Sequence, residues 1–139
     1  GMGDYAAAKE YYEAALAIDP KSTLAANNLA MLLVDRMPSE ENNRRALELA
    51  LPFADSKEAV LLDTLGWVYY RMGDYGKALP VLQNVVELNS ISGVFRYHLG
   101  MAYYQLKKYS EARHELNLAL KDENVYLDAK SAMEAMKTH

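Results

Sequence analysis

Residues 59–92 read AVLLDTLGWVYYRMGDYGKALPVLQNVVELNSIS, and residues 93–126 read GVFRYHLGMAYYQLKKYSEARHELNLALKDENVY. Laid over each other at a shift of 34, they keep Val60/Val94, Leu65/Leu99, Gly66/Gly100, Tyr69/Tyr103, Tyr70/Tyr104, Tyr75/Tyr109, Ala78/Ala112 and Leu82/Leu116. These eight identities compare with about two by chance, and they fall at helical spacing. Leu62, Leu65, Gly66 and Tyr69 stand at i, i+3, i+4 and i+7, the stripe of an amphipathic helix that meets a partner through one face. Asp55 with Glu58 reads as a capping box at its start. Gly73 stops that helix and Asp74 caps the next, which carries Tyr75, Ala78, Leu82, Val85 and Val86 on its inner face. Short connections make the two helices antiparallel neighbours.

The pattern extends toward the N-terminus. A shift of 36 brings Leu65, Gly66 and Tyr69 onto Leu29, Ala30 and Leu33, and Met72-Gly73-Asp74-Tyr75 recurs as Met2-Gly3-Asp4-Tyr5. The chain therefore divides into a half-repeat at 1–22 holding only a second helix, full repeats at 23–58, 59–92 and 93–126, and a capping helix at 127–139. Residues 35–43, DRMPSEENN, are expected to lengthen the turn of the first full repeat, and Pro52 and Pro80 to lie inside second helices. In the capping segment Leu127, Ala129, Ala132, Met133 and Met136 share one face. Gly1 reads as a remnant of tag removal and Met2 as an internal residue, which implies a larger parent protein with the missing half-repeat upstream. Small residues explain the packing: Gly66, Gly100 and Ala30 are expected where paired helices cross, answered by Ala8, Ala78 and Ala112.

A large residue, Leu-Gly, Tyr, Gly-Asp-Tyr, Ala, Ala-Leu and Pro spread over 34 residues resembles the tetratricopeptide repeat family. The resemblance covers the whole chain, with departures at Arg96 and Ala26, where a large apolar residue is usual, and at Lys107-Lys108, which replaces Gly-Asp. It implies an all-α fold, a right-handed superhelical solenoid of antiparallel helix pairs, acting as a non-catalytic scaffold that binds a peptide or helix of a partner protein in its concave groove. Residues 63–82, DTLGWVYYRMGDYGKALPVL, with their flanking repeats also resemble the C-terminal repeats of bacterial envelope proteins of this family that are linked to exopolysaccharide and protein-sorting systems. That implies a periplasmic or envelope-associated address, with the cytoplasm as the alternative.

By the same resemblance the inner surface is lined by the first helix of each pair. The candidate partner-binding residues are Asn27, Met31 and Val34, then Asp63, Trp67, Tyr70 and Arg71, then Tyr97, Met101 and Tyr104. Leu24, Val60 and Val94 begin these rows, and Asn28, Asp35, Thr64, His98 and Gln105 are expected to offer hydrogen bonds to a peptide backbone. An apolar face carrying the only tryptophan, two methionines and three tyrosines marks a contact surface. The family's chaperone-binding branch holds a C-terminal carboxylate with Lys or Arg in the row occupied here by Asn27, Asp63 and Tyr97, so that clamp is missing. The alternative is an assembly module whose groove or N-terminal face is buried by self-association, as a homodimer through the half-repeat, or by the rest of a larger protein.

Other chemistry finds no support in the residues. The net charge of -4, with acids and bases interspersed, gives no positive field for nucleic acid. No cysteine is present, and the apolar runs are far shorter than the roughly 18 residues of a membrane span, so direct membrane insertion is not expected. HELNL at 114–118 lacks the second histidine of a zinc site, Leu118 standing in its place, and GDYGKA lacks the leading glycine and the Ser or Thr of a phosphate loop. No serine, histidine and acid set has a recognisable signature. No catalytic residue, metal site or cofactor is expected.

Overall fold

A computed structural model describes residues 1–139, and every element is helical. Helix α1 spans Met2–Ile18, α2 Thr23–Arg36, α3 Glu40–Ala50, α4 Ala59–Arg71, α5 Tyr75–Leu88, α6 Gly93–Gln105, α7 Tyr109–Ala119 and α8 Tyr126–Ala135. Short 3-10 turns occupy Leu51–Asp55 and Met136–Thr138. Helices α2/α3, α4/α5 and α6/α7 form three hairpins, each helix also packs on the next in the chain, and α4 touches both α2 and α6 across the stack. The result is a solenoid in which α2, α4 and α6 form one layer and α3, α5 and α7 the other.

Local chemistry sets the helix boundaries. The Ser22, Ser39 and Ser92 hydroxyls accept from the backbone N–H groups of Ala25, Asn42 and Phe95 at 3.2, 3.0 and 3.3 Å, and the Asp74 carboxylate accepts from Lys77. At the end of α4, Gly73 has φ +83°, its N–H bonds to the Tyr70 carbonyl, and the Asp74 N–H returns to Tyr69, both at 2.9 Å. This paired closure requires a left-handed residue. The α6/α7 turn repeats it through Lys107 at φ +61°, with bonds to Tyr104 and Tyr103.

Most of the residues on the stripes read from the sequence lie in the core: Leu29, Leu33, Leu62, Leu65, Leu82, Val85 and Leu116 are almost wholly buried, whereas Tyr69 is half-buried and Val68, outside the stripe, is buried. A Cβ placed on Gly66 would lie 2.6 Å from Leu82 Cδ2, and one on Gly100 would lie 2.8 Å from Leu116 Cγ. Each glycine admits a leucine from the facing helix. The close approach is therefore glycine against leucine, rather than the glycine against alanine that the spacing suggested.

Several local expectations are corrected. Met2-Gly3-Asp4-Tyr5 is not a turn but the first turn of α1: the Gly1 carbonyl accepts from Asp4 and Tyr5, and the Gly1 ammonium pairs with the Asp4 carboxylate at 3.0 Å. Asp55 belongs to the 3-10 turn, and Glu58 is the cap residue of α4 with no side-chain cap, so no capping box forms. Pro52 sits at the start of that 3-10 turn instead of inside a helix, while Pro80 lies within α5. The turn after α2 is not lengthened. Met37, Pro38 and Ser39 link α2 to α3, as three residues link each later pair. The extra length is taken up in α2 itself and in the return segment from α3 to α4. In α8, Ala129 and Ala132 are buried as expected, as is Met136 in the 3-10 turn that follows; Leu127 is 76% exposed, and Val125, just ahead of α8, takes its place in the core.

Candidate functional site

The inner layer meets along a seam of α2, α4 and α6. Trp67 on α4 stacks on Tyr70, one turn ahead, with ring centroids 4.4 Å apart and planes at 7°. Its other neighbour is His98 of α6, at 3.9 Å and 19°. The indole N–H donates to Asp35 of α2 at 2.9 Å, and the Arg71 guanidinium lies 3.5 Å from the same carboxylate while donating to the Val34 carbonyl at 3.1 Å. The Nδ1 of His98 lies 2.9 Å from both Asp63 oxygens. Because a carboxylate only accepts, the histidine proton is on Nδ1. The Thr64 hydroxyl, with one proton to give, lies within hydrogen-bond reach of the Asn27 side chain and the Val60 carbonyl, and Gln105 donates to the Tyr70 hydroxyl at 3.3 Å.

The ten candidate residues fall into three groups. Val34, Asp63, Trp67 and Tyr70 are buried, and with half-buried Asn27 they form the floor of the groove rather than an open lining. The reason is physical: adjacent first helices pack closely enough that the middle of each row is shared between neighbours, so its polar groups satisfy one another. Of the residues expected to bind a peptide backbone, Asp35, Thr64, His98 and Gln105 make these internal bonds; Thr64 and His98 are buried, whereas Asp35 and Gln105 remain exposed. Tyr97, Met101 and Tyr104 are half-buried and Arg71 is exposed, so they remain reachable along the groove. Met31 is half-buried and faces α1, lining a separate depression with Tyr5, Ala8 and Tyr12.

Two contiguous clefts run over this floor. One, of about 350 Å³, is lined by Asp35, Arg36, Trp67, Arg71, Tyr97, His98, Val125 and Asp128. The other, of about 330 Å³, is walled by Tyr97, Met101 and Tyr104 on one side and by Asp128, Ser131 and Ala132 on the other. Tyr97 and Asp128 belong to both. Burial, then the negative charge of Asp128, pushes the Tyr97 phenol up to about 12. Burial likewise raises Tyr70, opposed by the Gln105 hydrogen bond. Asp128 was missed in the sequence because α8 read as a shield for the last hairpin. Its position in the first turn of a helix with an apolar face was the available signal. No group of three metal-ligating side chains occurs, and no helix is long and apolar enough to cross a membrane.

A family model described as "Anaphase-promoting complex, cyclosome, subunit 3" matches residues 26–119, and a tetratricopeptide repeat model matches residues 1–22. The chain belongs to the tetratricopeptide repeat family, and as such it is a protein-interaction scaffold and not an enzyme. No curated protein matches the sequence significantly. Among solved structures, TTC0263 of Thermus thermophilus, a thermophilic protein of this repeat class, superposes with a TM-score of 0.75 at 20% identity, over 96% of this chain and 73% of that one. MamA superposes with a TM-score of 0.71 at 20% identity, over 95% and 76%. YrrB, described as a repeat protein with an unusual peptide-binding site, gives 0.65 at 22% identity, over 95% and 67%. These likenesses establish the fold.

Proposed function

We propose that this scaffold binds a peptide or helix of a partner protein in the groove between the α2/α4/α6 layer and α8. The observation that carries the reading is the pair of contiguous clefts sharing Tyr97 and Asp128, in which Met101 and Tyr104 stay reachable over a floor whose hydrogen bonds are already made. Aromatic and methionine side chains give contact area with tolerance for sequence. The peptide-binding site in YrrB's description supports the same use of this fold. The test is selection of peptides on the immobilised protein, followed by titration of the recovered peptides against Met101→Ala/Tyr104→Ala. Loss of at least tenfold in affinity, with an unchanged helical melt, is expected. Undiminished binding would place the contact elsewhere. Trp67→Ala is unsuitable, because Trp67 is only 5% exposed and its removal hollows the floor.

A second reading, self-association through the N-terminal end, is favoured by one observation. Tyr5, Ala8 and Tyr12 of α1 with Asn28, Met31 and Leu32 of α2 line an open depression of about 460 Å³. Ala78 and Leu82, the corresponding residues of α5, are fully covered by α4. Light scattering across a dilution series separates the readings: a dimer abolished by Tyr12→Lys supports self-association, and a monomer at every concentration rejects it.

A further inference from the structure

The fourth residue after the cap of each inner-layer helix occupies one equivalent place: Ala26 after Ser22, Leu62 after Glu58, and Arg96 after Ser92. In the second hairpin the leucine fills that place and is 2% exposed. In the third, Arg96 crosses it to reach Glu115 at 2.8 Å, leaving a polar cleft beside Leu118 and Asp122. In the first, alanine leaves it empty. A pocket of about 390 Å³ opens there, walled by Leu16 and Pro20 behind, by Leu49, Pro52 and Phe53 in front, and floored by Ala26. Leu16 and Phe53 are 8% and 4% exposed, so the pocket is built from core side chains rather than from a loose surface. Exposed Lys21, Thr23 and Glu48 and half-buried Ser22 complete its lining at the mouth. Glu48 lies 3.6 Å from Arg45, whereas Lys21 takes part in none of the ion pairs.

We propose that this pocket, at the helix-start edge of the first hairpin and outside the groove, receives one branched aliphatic side chain of leucine size from a partner segment, whose neighbouring carboxylate pairs with Lys21. The size follows from Leu62, which fills the equivalent place of the next hairpin and is 2% exposed there. The apolar character follows from the inner lining of Leu16, Ala26, Leu49 and Phe53, where a polar group would lose its hydrogen bonds; the polar Ser22, Thr23, Lys21 and Glu48 are left for the atoms beside the anchored side chain. The carboxylate follows from Lys21, the unpaired cation at the mouth. Such a site is a single-residue anchor that adds to groove binding through effective concentration.

The probe is N-acetyl-leucine methylamide, titrated into methyl-labelled protein with N-acetyl-alanine methylamide as control. Saturable shifts of the Leu16 and Leu49 methyl resonances in the millimolar range are expected with the leucine compound and not with the alanine one. Ala26→Leu should remove them while raising the melting temperature, since it supplies the missing side chain. Ala26→Val, which adds only two methyl groups, should weaken the interaction at least fivefold and serves if the leucine variant fails to fold. N-acetyl-leucyl-aspartate should bind more tightly than the methylamide, and that gain should vanish in Lys21→Ala. Absence of a saturable shift at these methyls, or equal shifts in the filled variants, overturns the proposal. Shifts confined to the Met101 methyl resonance would overturn it while leaving the groove reading intact.

Discussion

Gly66 and Gly100 are the residues on which the hairpins close, because Leu82 and Leu116 occupy the space a Cβ would need. Gly66→Leu is expected to cost about 1 to 3 kcal/mol through overpacking, read as a lower urea midpoint. Lys107 holds a left-handed conformation that Gly73 holds in the preceding hairpin without a side chain. Lys107→Gly should therefore stabilise the protein by about 1 kcal/mol, and an unchanged midpoint would show that the lysine is not strained. Asn43 stands in α3 where α5 and α7 carry Ala78 and Ala112, and its buried Oδ1 has no donor. Asn43→Ala should raise stability by about 1 to 2 kcal/mol, because it removes an unsatisfied acceptor and restores the residue used by the other hairpins. The glycines were legible from sequence, since only a close approach explains glycine inside a helix at the same place in two repeats. The asparagine was not, because its cost depends on which way the amide points.

Among elements, the three hairpins solve one packing problem with different chemistry. Where α4 and α5 place Leu62 and Val81, α6 and α7 place Arg96 and Glu115, with side chains only 17% and 11% exposed. A shielded pair is costly to break and cheap to replace. Glu115→Ala alone should lose about 2 kcal/mol by stranding Arg96, whereas Arg96→Leu with Glu115→Val should be as stable as the wild type or more so; thermal melts of the three proteins decide. Sequence spacing placed every helix pair, because hydrophobic periodicity and caps are local. It misplaced the ends of the segment around Pro52, because these depend on what lies beside them: a 3-10 turn packing Phe53 inward. The polar seam of Asp63, His98, Trp67 and Asp35 was equally hidden, since each residue reads as surface until α2, α4 and α6 are laid side by side.

For the molecule as a whole, the groove joins helices far apart in the chain, and Tyr97 at its centre reports on that assembly. Its phenol, held at about 12 by burial, ionises in the unfolded chain near 10. Between these values the unfolded state gives up a proton that the folded state keeps, so the stability contribution is full below about pH 10 and is lost as pH rises toward 12. Tyr97→Phe should flatten the decline of the urea midpoint between about pH 9.5 and 11.5; an identical decline would mean that the hydroxyl is more hydrated than its surroundings suggest. Which members of the rows sit beneath the surface was not legible in the sequence, because that depends on how closely neighbouring hairpins approach. Trp67, sandwiched between Tyr70 and His98 and tied to Asp35, carries one more consequence. In a stack stabilised mainly by nearest neighbours, the ends can unravel while the middle holds. The single indole is a local thermometer for the central junction, whereas far-ultraviolet dichroism averages over all helices, so the gap between their two melting curves measures directly how cooperatively the stack comes apart.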